Sequence, residues 1–86
     1  MRELNVAEVA GAVRRLCVEA NYRLPEDVET AVRLRAEKEP WAPAAGVLSV
    51  ICENIDAASE RRFPLCQDTG MMTVWIEAGQ EVRFTG

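Results

Sequence analysis

The chain has 86 residues, of which 49% are hydrophobic and 28% charged, and its formal net charge is −4 without any histidine. This length allows one small globular domain, and an acidic chain with scattered arginines is poorly suited to binding nucleic acid. No apolar run approaches the roughly 20 residues that a transmembrane helix needs, so we expect a cytoplasmic protein without membrane contact.

The first predicted element is a helix over residues 6–22. Asn5 is a favourable N-cap residue. The hydrophobic residues that follow it recur at helical spacing, and they are Val6, Val9, Ala10, Val13, Leu16, Cys17 and Ala20. Because Cys17 belongs to this apolar stripe, we interpret it as a core residue.

Two further helices are predicted over residues 25–38 and 44–61. Pro25 suits a helix start, and a segment with two prolines separates the second helix from the third. Trp41 lies between those prolines, and we expect it to be buried there. In the third helix, Asn54 could either bond the loop that follows or face solvent.

Residues 63–70 form the segment that is densest in reactive groups. Pro64 fixes its own φ, so the third helix should end near Arg61 or Arg62, and Gly70 lets the backbone adopt a positive φ or approach a ligand closely. Between them lie Cys66, a possible thiolate ligand or nucleophile, and Asp68, a possible proton carrier.

The amide of Gln67 and the hydroxyl of Thr69 can donate and accept hydrogen bonds, which suits a loop that binds a polar small molecule. The same residue types also occur in ordinary turns. From composition alone, residues 64–70 could therefore be a structural turn in which Cys66 packs as a small hydrophobic residue.

After this loop, residues 71–77 and 81–84 are predicted as two strands, with a turn at Gly79 between them. The predicted fold class is thus α+β, with three N-terminal helices, a motif loop and a β-hairpin. Both faces of the first strand are apolar, so it should be covered on both sides.

Residues 64–70, which read Pro-Leu-Cys-Gln-Asp-Thr-Gly, are followed by an apolar strand pattern. This motif resembles the first cysteine motif of the iron–sulfur hydro-lyases, the class I fumarate hydratases and the L-tartrate dehydratase alpha subunits. The resemblance covers most of the chain and is specific from about Ala44 onward.

The resemblance implies a [4Fe-4S] cluster held by three cysteines that are widely spaced in sequence. Cys66 matches the first of these ligands, whereas Cys17 and Cys52 match none. Members of the family are roughly three or more times as long as this chain. Residues 1–86 are therefore expected to be the N-terminal fragment of a larger α/β, cluster-binding alpha domain, inactive alone, with the remaining ligands elsewhere.

The resemblance also implies roles for the residues beside the ligand. Gln67, Asp68, Thr69 and Gly70 would bind a small dicarboxylate, and Asp68 would also transfer a proton. The implied reaction interconverts malate and fumarate, or tartrate and oxaloacetate. The implied partners are the rest of the alpha domain, a beta domain or beta subunit, and further copies in a homo-oligomer.

Two other hypotheses stay open at this stage. One is a small helical interaction module in which residues 64–70 form only a turn. The other is a thiol site in which Cys66 reacts directly, although no His or Lys lies nearby in sequence to lower its pKa.

Overall fold

The structure is a computed structural model that describes residues 1–68 and 70–86, and its fold class is α+β, as predicted. The elements in chain order are β1 (Arg2–Asn5), α1 (Val6–Tyr22), α2 (Glu26–Lys38), α3 (Ala42–Arg61) and β2 (Val82–Thr85). They belong to two compact units, one formed by residues 1–19 and 70–86 and the other by residues 20–69.

Helix α1 begins where the N-cap residue predicts. The side-chain Oδ1 of Asn5 accepts a hydrogen bond of 2.8 Å from the backbone N–H of Ala7, which would otherwise lack an intrahelical acceptor. Val9, Val13 and Cys17, which belong to the predicted apolar stripe, are half-buried. Periodicity and capping together therefore predicted both ends of this helix correctly.

Helices α2 and α3 pack against each other within the unit of residues 20–69. The guanidinium of Arg33 on α2 joins them, because it donates to Glu29 on its own helix at 3.2 Å and to Asp56 on α3 at 2.6 Å. Asp56 and then Glu29 raise the pKa of Arg33 above its ordinary value through these hydrogen bonds. Arginine is protonated throughout the physiological pH range, so both of these hydrogen bonds join a cation to a carboxylate.

The fully buried hydrophobic residues among those described are Ile55 and Ala58, which are 4% and 2% exposed. Both lie on α3, one turn apart on the side of the helix that faces the core.

Helix α3 starts two residues before the predicted position because Pro43 is accommodated in its first turn, where no intrahelical donor is needed. The expected burial of Trp41 is wrong, since this N-cap residue is 67% exposed.

The predicted hairpin is wrong. Residues 71–77, all of which the structure describes, form no strand, and Met71 and Trp75 are 94% and 90% exposed. A strand with two apolar faces needs a paired strand and cover on both sides, and the described residues place no strand against it. The predicted turn does exist, because the N–H of Val82 donates to the carbonyl of Gly79 at 3.2 Å.

Strand β2 pairs instead with β1, in parallel, in a register that runs from Arg2 opposite Val82 to Asn5 opposite Thr85. The four residues of β1 were not predicted as a strand, because they are too few to establish an alternating pattern. In the described part of the chain, no helix has the length and apolar character needed to cross a membrane.

The burial of Ile55 leads to a test of the helical unit. Replacing Ile55 with Ala should lower the local free energy of unfolding by about 2–3 kcal/mol, because it removes buried methyl and methylene groups and leaves a cavity. Val50→Ala is the matched control, since Val50 lies on the same helix but is 62% exposed, and it should change this value by less than about 0.5 kcal/mol. Native-state hydrogen exchange of the α3 amides measures the local free energy of unfolding in both variants. Equal losses in the two variants would contradict the assignment of Ile55 to the core.

Candidate functional site

The candidate loop begins at the end of α3, where Arg62 adopts a left-handed conformation with φ 56° and ψ 47°. The backbone N–H groups of Arg62 and Phe63 both donate to the carbonyl of Ala58, which closes the last turn. The helix therefore ends at Arg61, as Pro64 predicts, and the chain turns into the loop in a fixed direction.

The side chain of Arg62 stabilises this turn. Its guanidinium carbon lies 5.0 Å from the centroid of the Tyr22 ring, at the last residue of α1. Such a cation–π contact contributes about 0.5–1 kcal/mol at an exposed position. This is comparable with the roughly 1 kcal/mol that a left-handed backbone costs a residue other than glycine, so the contact offsets much of that cost.

Leu65 is held through both of its backbone polar groups. Its N–H donates to the carbonyl of Asn21 in the last turn of α1 at 2.7 Å. Its carbonyl accepts a hydrogen bond of 2.8 Å from the side-chain Nδ2 of Asn54 on α3. The sequence left open whether Asn54 bonds the loop or faces solvent, and in the structure its side chain bonds the loop.

Cys66, Gln67 and Asp68 follow directly and are all exposed. The structure shows no hydrogen bond from their side chains to any other described residue. By contrast, Cys17 and Cys52 are half-buried on their helices. The loop therefore presents a thiol, an amide and a carboxylate on an anchored backbone while the side chains themselves remain available.

The last two residues of the motif are Thr69 and Gly70. Thr69 lies outside the described residues. Gly70 has a φ of 95°, and a Cβ atom built on it would meet no atom within 4 Å. The positive φ expected of this glycine is thus confirmed, whereas its close approach to a ligand stays a prediction.

The donor chemistry of the loop fits one ligand of a metal cluster. A thiolate is the form in which cysteine binds iron, and the Cys66 thiol is exposed on a loop. Among the described residues, however, no three Cys, His, Asp or Glu side chains are grouped so that they could hold a metal ion. Cys66 can supply one ligand, and the described residues do not complete a set.

A surface cavity of about 190 Å³ lies in the same helical unit, and its lining includes Tyr22, Glu29 and Ile55. None of its lining residues belongs to the loop, so it does not enlarge the candidate site.

The hydrogen bond that Asn21 accepts from Leu65 could not have been found from the sequence, because it is made by a backbone carbonyl that every residue type has.

Comparison with known proteins gives a consistent result. The family model described as "Fumarate hydratase (Fumerase)" matches residues 10–86. A putative L(+)-tartrate dehydratase subunit alpha of Methanocaldococcus jannaschii is 36% identical over 76 residues. A putative fumarate hydratase class I of Geobacillus stearothermophilus is 40% identical over 63 residues. These matches confirm the resemblance carried by the cysteine motif.

The matches differ in how much of each protein they cover. The tartrate dehydratase match covers 88% of this chain and 27% of that relative, and the fumarate hydratase match covers 72% of this chain and 12% of that relative. The chain thus spans about a quarter and an eighth of the two. No solved structure matches it.

The backbone of Gly70 provides a test with an internal control. Gly70→Ala should lower the free energy of unfolding by about 1–2 kcal/mol, because a side chain is strained at this positive φ even though there is space for it. Gly79→Ala also adds a methyl group in open space but at a φ outside that region, and it should change the value by less than about 0.5 kcal/mol. Urea titration of the complete protein compares the two; equal losses would show that the positive φ is not the cause.

Proposed function

This chain belongs to the fumarate hydratase family, and we propose that it supplies the first cluster-ligating cysteine of an iron–sulfur hydro-lyase. The observation that supports this most directly is the loop itself, in which the exposed thiol of Cys66 follows a residue anchored to two helices. The proposed reaction adds water to an unsaturated dicarboxylate, or removes it from a 2-hydroxy dicarboxylate, with malate and fumarate or tartrate and oxaloacetate as the pairs.

Cys66 is the residue of this chain that would hold a [4Fe-4S] cluster, as its thiolate. When bound, such a cluster would supply Lewis-acid chemistry towards the hydroxyl and carboxylate oxygens of the substrate. The other ligands would come from polypeptide outside these 86 residues, because Cys17 and Cys52 are half-buried on helices and match no ligand position.

Gln67 and Asp68 act on the substrate in this proposal. The amide of Gln67 can donate to a carboxylate oxygen and accept from a hydroxyl. The carboxylate of Asp68 can take a proton from the substrate carbon or return one. Thr69 and Gly70 would complete the binding loop with a hydroxyl and a backbone N–H.

Asp68 and a dicarboxylate are both anionic, so bringing them together requires cationic groups or protonation of one carboxyl. The loop residues 63–70 include no basic residue. The cationic groups are therefore proposed to come from the rest of the alpha domain and from a beta domain or beta subunit.

On the same grounds, we propose that residues 1–86 alone are inactive as the N-terminal fragment of a cluster-binding alpha domain. A homo-oligomeric assembly and the cytoplasmic location expected from the sequence are parts of the same proposal. The tartrate dehydratase relative is described as a subunit alpha, which is consistent with a separate second subunit.

The ligand role predicts a difference among the three cysteines. After anaerobic reconstitution of the complete protein with iron and sulfide, Cys66→Ser should lose the bound iron, the sulfide and the broad visible absorbance of the cluster. Cys17→Ala and Cys52→Ala should retain all three properties. Quantitative iron and sulfide analysis decides the outcome. If Cys66→Ser keeps a full cluster, the ligand role is wrong and residues 64–70 are better described as a structural turn.

The proton-transfer role predicts that Asp68→Asn retains the cluster and loses turnover by roughly a hundredfold or more, because the amide cannot exchange a proton. Glu60→Gln is the matched control, since Glu60 is also an exposed acidic residue in the same unit. Cluster content and kcat, measured on the same samples, test this. A normal kcat in Asp68→Asn would remove the proposed role.

A further inference from the structure

We infer that Asn54 is a positioning residue for the ligand loop, because its side-chain amide fixes the peptide plane that carries Cys66. The anchoring part of this inference rests on the hydrogen bond alone. The consequence for the cluster rests on the function proposed above.

The first step is geometric. Nδ2 of Asn54 donates to the carbonyl oxygen of Leu65 at 2.8 Å, and that carbonyl belongs to the peptide unit between Leu65 and Cys66. A peptide unit is planar, so fixing the direction of its carbonyl also fixes the N–H and Cα of the following residue. The amide of Asn54 thereby restricts the backbone from which the thiol of Cys66 projects.

The second step concerns the two helices that hold Leu65. Asn54 lies on α3, while the N–H of Leu65 is bonded to the carbonyl of Asn21 on α1. One bond alone would leave the residue free to rotate about the axis of that bond. Two bonds to different helices, one through the N–H and one through the carbonyl of Leu65, restrict that rotation.

The third step is the placement of Asn54 itself. The next residue along α3 is Ile55, which is 4% exposed and fixes the rotation of the helix about its own axis. Successive residues of an α-helix are separated by a constant angle, so the burial of Ile55 also fixes the direction in which Asn54 projects. The hydrophobic core thus holds the donor in place.

The fourth step is the chemical requirement at position 54. The carbonyl of Leu65 needs a donor of the right length. Alanine supplies none, and aspartate has the same shape as asparagine but would place a carboxylate oxygen against the carbonyl oxygen. Asparagine provides this donor without adding a charge beside the proposed site of an anionic substrate.

The consequence for the cluster is preorganisation. A ligand on a loop that is already ordered loses less conformational entropy when it binds than a ligand on a mobile loop. We therefore expect that removing the amide speeds up loss of the cluster without removing any ligand.

The first experiment uses the complete protein without its cluster and measures hydrogen exchange in the peptide that covers residues 63–68. Asn54→Ala and Asn54→Asp should speed up exchange there roughly fivefold, as expected for the loss of one hydrogen bond. Glu53→Gln, a change at the neighbouring exposed position of α3, should leave it unchanged. Unchanged exchange in both Asn54 variants, or equal acceleration over the whole of α3, would overturn the positioning role.

The second experiment measures the rate at which the reconstituted protein loses iron to a chelator. Asn54→Ala should lose iron several-fold faster than the wild type and Glu53→Gln, with the same iron content at the start. An unchanged rate in Asn54→Ala, combined with iron loss in Cys66→Ser, would overturn this inference and leave the proposed function intact. A full cluster in Cys66→Ser would instead overturn the proposed function, and the exchange measurement would still decide whether Asn54 anchors the loop.

Discussion

The candidate site depends on the two hydrogen bonds that Leu65 makes through its backbone. They connect a short segment without regular structure to the end of α1 and to the middle of α3. Because both bonds use backbone groups of Leu65, they constrain the direction of the chain without occupying the side chains that follow. Cys66, Gln67 and Asp68 remain exposed on a backbone that these two bonds restrain.

Helix α3 carries most of the constraints in this unit. Within one turn and a half it provides the buried residues Ile55 and Ala58, the donor Asn54 and the ion-pair acceptor Asp56. A change that rotates this helix would therefore alter the core, the contact with α2 and the anchored loop together. Because one helix provides the core, the contact with α2 and the loop anchor, a small unit with little buried area can define the geometry of an exposed loop.

The helices and the loop could be predicted because their signals are local. Asn5, Pro25 and Pro64 each act on adjacent residues, and the structure places helix boundaries at or within one residue of where they indicate. Strand pairing is non-local, so the pairing of residues 82–85 with residues 2–5 could not be predicted from local patterns. The motif indicated candidate site residues, but the carbonyl of Asn21 has no sequence signature and Thr69 lies outside the described residues.

The parallel pairing of β1 with β2 joins segments from the beginning and the end of these 86 residues. During synthesis on a ribosome, the pair of β1 and β2 cannot be complete until Thr85 has emerged, whereas α2 and α3 are complete well before that. Closing so long a loop is entropically unfavourable and slow compared with helix formation. The contacts within residues 20–69, including those that anchor Leu65, can thus form cotranslationally before the two-stranded sheet does.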